Sequence, residues 1–194
     1  MKTKIILLFI LIGSFGMSAQ NNDPRFAIEL NGGPSLALNK IAGATMNVGV
    51  GFEGTFHYRF YDQWGAYAGW GWNRFGSNTS FVGENGSFEE TGYVVGLQFK
   101  QSFRHSPISW YARGGVLLNH IEVENKAGDL LVDSKHGIGY QLATGIYIPI
   151  GRNWCMNGGI KFNSLNRGVT HYGGEDRSLN LSYMTLRIGI TKMF

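Results

Sequence analysis

Eight stretches of the chain alternate apolar and polar side chains strictly. A period of two belongs to strands with one greasy face, not to a helix. The second stretch is the clearest: Val48, Val50, Phe52, Phe56, Tyr58 and Phe60 fall on one side, and Asn47, Gly49, Gly51, Glu53, Thr55, His57 and Arg59 on the other. The first sets Phe26, Ile28 and Leu30 against Glu29 and Asn31, the third Trp64, Ala66, Ala68, Trp70 and Trp72 against Tyr67, Gly69, Gly71 and Asn73. The fourth sets Tyr93, Val95, Leu97 and Phe99 against Gly96, Gln98 and Lys100, the fifth Trp110, Ala112, Val116 and Leu118 against Tyr111, Arg113 and Asn119. In the last three the apolar rows are Ile138 to Ile148, Trp154 to Phe162, and Met184 to Ile190. They face Gln141, Gly145 and Tyr147, then Asn157, Gly159, Lys161 and Asn163, then Thr185, Arg187 and Gly189.

The connections alternate in length. Those around Tyr61 to Gln63, Arg104 to Pro107 and Pro149 to Asn153 are short, whereas Gly76 to Ser87, Glu124 to His136 and Asn166 to Arg177 are longer and more polar, with Leu36 to Ala44 a smaller fourth. Short turns at one end and long loops at the other are the asymmetry of an outer-membrane barrel. The pattern predicts an all-β fold, an eight-stranded antiparallel up-and-down transmembrane β-barrel, with both termini at the short-turn, periplasmic end.

Alternation alone does not say which face points outward, because a soluble barrel has the same period with its apolar row inside. Two features decide for lipid. Trp64, Trp110 and Trp154 each follow a short turn, as residues of a membrane-interface aromatic belt do, and Phe194 falls at the same level. The polar face is also dense in glycine (Gly49, Gly51, Gly69, Gly71, Gly96, Gly115, Gly145, Gly159, Gly189), which makes room in a crowded lumen and would only weaken a solvated face.

Composition fits an exported chain. Lys2 and Lys4, the apolar run Ile5 to Ile12 and small residues at Ser18 and Ala19 read as a secretory signal peptide over 1–19, with the barrel over 20–194. The apolar run falls short of the roughly 20 residues a spanning helix needs. Of the 17 Lys and Arg, 15 remain after the leader against 13 Asp and Glu, a net charge of +2 that gives no reason to expect nucleic acid as a partner. Cys155 has no partner for an internal disulfide, so the hydrogen-bond ladder must hold the fold.

The ionisable residues of the strands fall on the inner face and form an expected lumen polar network of Glu29, Glu53, Arg59, Lys100, Arg113, Lys161 and Arg187. They could form a gated ion path or a plug of salt bridges. The plug is preferred, because an eight-stranded lumen is just wide enough for side chains to fill it. Glu29 and Glu53 then pair with some of Lys100, Arg113, Lys161 and Arg187, in an assignment the pattern leaves open. Lys192 is the exception, a cation on the lipid row near the periplasmic interface.

No residue set is assigned to catalysis, a cofactor or a metal. His120, Glu122 and Glu124 would share a face if the fifth strand continued past the membrane, which permits a metal site, but a solvated strand end is the plainer reading. Barrels that resemble the lipid A deacylases carry a His two residues before a Ser near the outer end of a strand. Here Phe162-Asn163-Ser164 has Phe in the base's place, so Ser164 lacks its partner.

The last strand, Leu186-Arg187-Ile188-Gly189-Ile190-Thr191-Lys192-Met193-Phe194, resembles the carboxyl-terminal assembly signal of Gram-negative outer-membrane barrels. With the leader and the strand count, the whole mature chain resembles the small outer-membrane barrels of the OmpA-like and OmpX-like porin family. The resemblance implies integral residence in the outer membrane and insertion by the outer-membrane assembly machinery through a signal of Ile188, Ile190 and Phe194. Lys192 departs from that signal, where an apolar or aromatic residue is usual. Lipopolysaccharide and outer-membrane lipid are the surroundings it implies. With the last strand ending at Phe194, the resemblance carries no expectation of a peptidoglycan-binding domain or of cell-wall anchoring. Three roles follow in order of preference: a non-enzymatic structural or surface-interacting barrel that displays its long loops to an unidentified extracellular ligand, a narrow channel, and a lipid A-modifying enzyme.

Overall fold

The computed structural model describes residues 24–80, 83–170 and 176–194, and among these it contains strands and no helix. In chain order they are β1 (Phe26–Ala37), β2 (Gly49–Arg59), β3 (Trp64–Ser80), β4 (Gly83–Ser102), β5 (Ser109–Glu124), β6 (Leu130–Asp133), β7 (Gly137–Gly151), β8 (Trp154–Thr170) and β9 (Asp176–Met193). Sheet order is β4-β3-β2-β1-β9-β8-β7-β5, and β4 pairs again with β5, so eight antiparallel strands close a ring. β6 adds only to the end of β5. The seam runs from Ala27 opposite Met193 to Ala37 opposite Tyr183. A closed ring leaves no backbone edge unpaired, which is what hydrocarbon demands. The leader expected over 1–19 lies outside the described residues.

Side-chain direction follows the period-two pattern through the lower barrel. Val50, Phe52, Leu97 and Ile188 point outward, 55%, 42%, 53% and 65% exposed, while Glu53 and Arg187 are buried at 3% and 5%. On β3 the outward row Trp64, Ala66, Ala68, Trp70, Trp72 covers nine positions, matching the roughly 9–11 residues a tilted strand needs to cross the bilayer. At its lower edge the Trp64 and Trp110 rings both pack on Phe99, with centroids 5.2 Å and 5.5 Å away. At its upper edge the outward side chains turn charged: Arg74 lies 2.8 Å from Glu89, which also accepts a hydrogen bond from Trp72 Nε1 at 2.9 Å.

Cross-strand glycines fill the inner face where rings must lie flat. A Cβ at Gly115 would sit 2.5 Å from the Tyr67 hydroxyl, and one at Gly145 would sit 2.7 Å from that of Tyr111. Gly96 and Gly159 stand directly opposite these two positions. Each glycine pair is therefore a slot for one tyrosine, an arrangement that recovers in aromatic packing what glycine costs the strand.

Above the lipid band the structure differs from the sequence reading. The described residues of Gly76 to Ser87 and of Asn166 to Arg177, expected as loops, extend the strands: Phe75 pairs with Phe88, Ser80 with Gly83, Arg167 with Leu179 and Thr170 with Asp176. Part of the expected loop Glu124 to His136 forms β6, with Glu122 opposite Asp133. The polarity of the wall also inverts. Phe75, Phe88, Ile121, Val123, Leu179 and Leu181 point into the barrel and are buried, and Ile41, from the segment after β1, packs among them. The reason is the change of solvent. Below, lipid takes the greasy face; above, water surrounds the wall and only the interior is dry.

Lys192 has a physical role. Its Nζ sits 5.0 Å from the Trp154 ring centroid and 5.9 Å from that of Phe194, so the ammonium lies against two aromatic faces at the periplasmic interface. Such contacts contribute roughly 0.5–1 kcal/mol at exposed sites. Lys192→Gln is expected to lower the urea midpoint of the detergent-refolded barrel by an amount equivalent to about that energy. A midpoint equal to wild type would mean the rings do not hold the ammonium.

Candidate functional site

The inner face of the strands brings the lumen residues together in layers. At the periplasmic mouth a cavity of about 550 Å3 is lined by Arg25, His57, Arg59, Lys100, Tyr147 and Thr191, among others. Arg59 and Lys100 are thus half-buried residues of the mouth, Lys100 with its Nζ 5.3 Å from the Tyr147 ring centroid.

The cavity-lining Gln98 and Tyr147 hydrogen-bond the first charged layer. Arg113 grips Glu29 with two parallel bonds, Nη1 to Oε1 at 3.0 Å and Nη2 to Oε2 at 2.7 Å. The Tyr147 hydroxyl donates to Glu29 Oε2 at 2.7 Å, Asn31 Nδ2 donates to Oε1 at 2.6 Å, and Arg113 Nε donates to Gln98 Oε1 at 2.8 Å. His57 stands beside them, its Nε2 within 2.9 Å of Thr55 Oγ1. A bidentate guanidinium–carboxylate pair is the strongest way to satisfy both ions out of water.

The second layer centres on Glu53. Lys161 Nζ donates to its Oε2 at 2.9 Å, Gln141 Nε2 donates to the same oxygen at 3.0 Å, and Arg187 Nη2 lies 3.7 Å from Oε1. Tyr67 holds Gln141 from behind, donating to its Oε1 at 2.9 Å. Glu29, Glu53, Arg113, Lys161 and Arg187 are all buried.

A third layer was not anticipated. Glu90 is buried, and its Oε2 accepts hydrogen bonds from Asn73 Nδ2 at 2.9 Å and the Tyr183 hydroxyl at 2.8 Å, while Asn119 Nδ2 donates to Oε1. The signal was present in the parity of β4: Glu90, Gly92, Gly96, Gln98 and Lys100 share one face. The apolar row opposite begins only at Tyr93, whereas the strand itself already pairs at Glu90. Between the second and third layers the free space is about 10 Å3, near the least that holds one water. Above lies the apolar plug around Ile41. Beside it the Arg167 guanidinium donates to the carbonyls of Asn119 at 2.8 Å, Ile138 at 3.0 Å and Asn166 at 2.7 Å, tying β5, β7 and β8 together.

The remaining expected residues lie at the wall. Trp64 and Trp154 are exposed at the lower rim, with Trp110 half-exposed beside them. Ile188, Ile190 and Phe194 face outward along β9 and its end, at 65%, 47% and 36% exposure. Ser164, the nearest counterpart of a nucleophile, has its Oγ 3.0 Å from the Ser182 hydroxyl, while Phe162 packs against Tyr140 on the outside. Glu124, grouped above with His120 and Glu122, instead pairs with Arg74 at 3.2 Å.

Comparison with known proteins follows this geometry. A family model described as outer membrane protein beta-barrel domain matches residues 7–194. Among solved structures, Neisserial surface protein A superposes with a TM-score of 0.65 at 16% identity, over 87% of this chain and 97% of that one. The Ail attachment invasion locus protein of Yersinia pestis gives 0.55 at 15% identity, over 89% and 100%. OprG from Pseudomonas aeruginosa gives 0.56 at 14% identity, over 89% and 98%. At such identities the likeness speaks for the fold alone. No curated protein matches the chain.

Proposed function

Since the chain belongs to the family of outer membrane protein beta-barrel domains and is integral to the outer membrane, we propose that it is a non-conducting, non-enzymatic barrel whose extension beyond the membrane is its working surface. The observation that carries this reading is double closure of the lumen, by ion pairs at the Glu29 and Glu53 layers and by the apolar plug of Phe75, Phe88, Ile121 and Leu181 above them. A hydrated ion would have to break buried pairs and then cross a dry layer, each step costing several kcal/mol. The tall walls of β3–β4 and β8–β9 offer a rigid, hydrogen-bonded display surface, better suited to holding a partner than a loose loop.

The hydroxyl of Ser164, the nearest counterpart of a nucleophile, is taken up by that of Ser182 at 3.0 Å, which supports the non-enzymatic reading. Insertion by the assembly machinery through Ile188, Ile190 and Phe194, and contact of the upper wall with lipopolysaccharide, complete the proposal. Planar-bilayer recording of the refolded protein tests it. Wild type is expected to give no steady openings at moderate voltage. Steady unitary openings would overturn the closed-barrel reading in favour of a channel.

A further inference from the structure

We propose that His120, Glu122 and Asp133, with the His136 ring beside them, form a binding site for a divalent transition-metal cation of the zinc class on the outer wall of the extension. Two registers create the site. β5 pairs with β6 so that Glu122 stands directly opposite Asp133, and β4 pairs with β5 so that Glu89 stands directly opposite Glu122. Three carboxylates in one cross-strand row repel one another, and like charges so placed destabilise a sheet. Arg74 neutralises Glu89. Glu122 and Asp133 both face His120, whose ring nitrogens lie 3.6 Å from Glu122 and 3.4 Å from Asp133. A divalent cation is a strong answer to two carboxylates and an imidazole set side by side.

The spacing suits an ion. One ligand atom from each of His120, Glu122 and Asp133 can be chosen so that all lie within 4.8 Å of one another. Donors held at about 2.0–2.2 Å around a tetrahedral centre are roughly 3.3–3.6 Å apart, so a small closure led by the exposed Asp133 brings the three donors to that spacing. The His136 ring centroid is 4.4 Å from that of His120, close enough for a second imidazole to join. The frame is firm. Ser134 N donates to the Ile121 carbonyl at 2.9 Å, Ile121 N donates to Ser134 Oγ at 2.7 Å, and Val123 and Val132 are buried beneath. Imidazole nitrogen with carboxylate oxygen favours zinc, copper or nickel ions over magnesium or calcium, which take oxygen alone. Along β5 the site follows Leu118, the last exposed apolar residue of the outward row.

Calorimetric titration of tag-free, detergent-refolded protein with zinc chloride tests this, with magnesium chloride as control and a band shift on unheated gels as the check of folding. One zinc per chain is expected, with no heat from magnesium. Loss of an outer partner alone weakens metal sites roughly 10–100-fold, so Asp133→Asn and His120→Gln are each expected to weaken zinc by at least about tenfold. Asp133 is exposed, so its variant keeps the barrel folded even where His120→Gln does not. Copper bound to wild type is expected to show nitrogen hyperfine coupling from imidazole in its electron paramagnetic resonance spectrum. Zinc binding that is absent, or unchanged in the Asp133 variant, would overturn the site, as would a copper spectrum without nitrogen coupling.

Discussion

Glu53→Ala is expected to destabilise the barrel by about 3–5 kcal/mol, the range for breaking a buried ion pair from one side. The carboxylate is 3% exposed and is the shared anion of two buried cations, Lys161 at 2.9 Å and Arg187 at 3.7 Å. Its removal leaves an ammonium and a guanidinium in a dry lumen with nothing between them. Gln141 loses an acceptor as well, which slackens the Tyr67 hydroxyl behind it. Urea unfolding from lipid vesicles, followed by tryptophan fluorescence, measures the loss. Glu53→Ala/Lys161→Ala is expected to be less destabilised than the sum of its single variants, because removing both partners leaves one stranded charge fewer. Strict additivity, or a single-variant loss below about 1 kcal/mol, would mean the ions are not coupled and the lumen is wet.

The second large effect belongs to the lipid face. Ile188→Arg is expected to cost about 2–4 kcal/mol, the penalty for a basic side chain near the bilayer midplane. Ile188 is 65% exposed and pairs with Gly32 and Gly158 in the middle of the outward row of β9. Leu130 is 54% exposed on β6, beyond the lipid band, and Leu130→Arg is expected to change stability by no more than about 0.5 kcal/mol, as surface changes do. Both residues are exposed to a similar degree. They differ in what surrounds them, so the same vesicle unfolding experiment reads the solvent on each side of the boundary. Equal small losses would contradict lipid contact at Ile188.

The barrel and its orientation were legible because they rest on local rules. Strand residues two apart share a face, and a bilayer excludes charge from one of the two faces, so Glu29, Glu53, Arg113, Lys161 and Arg187 could be sent inward from parity alone. Glu90 obeyed the same rule and was missed only because its strand begins earlier than its apolar row. The inversion above the membrane was harder to read. Phe75, Phe88 and Ile121 belong to the strands that carry the lower wall, but their meaning depends on whether lipid or water lies outside at their height. That height is set by strand tilt and stagger, which a period-two pattern does not encode.

The sequence by itself determined the eight barrel strands, their sidedness and the inward placing of Glu29, Glu53, Arg113, Lys161 and Arg187, since each follows from the spacing of residues along one strand and the dielectric of the medium. Tertiary structure alone decided the partners: Arg113 with Glu29, Lys161 and Arg187 with Glu53, Lys192 against Trp154, and His120 beside Glu122 and Asp133. Partner choice depends on the register between strands far apart in the chain. Shifting one strand against its neighbour by two residues keeps every face unchanged while giving each charge a different neighbour.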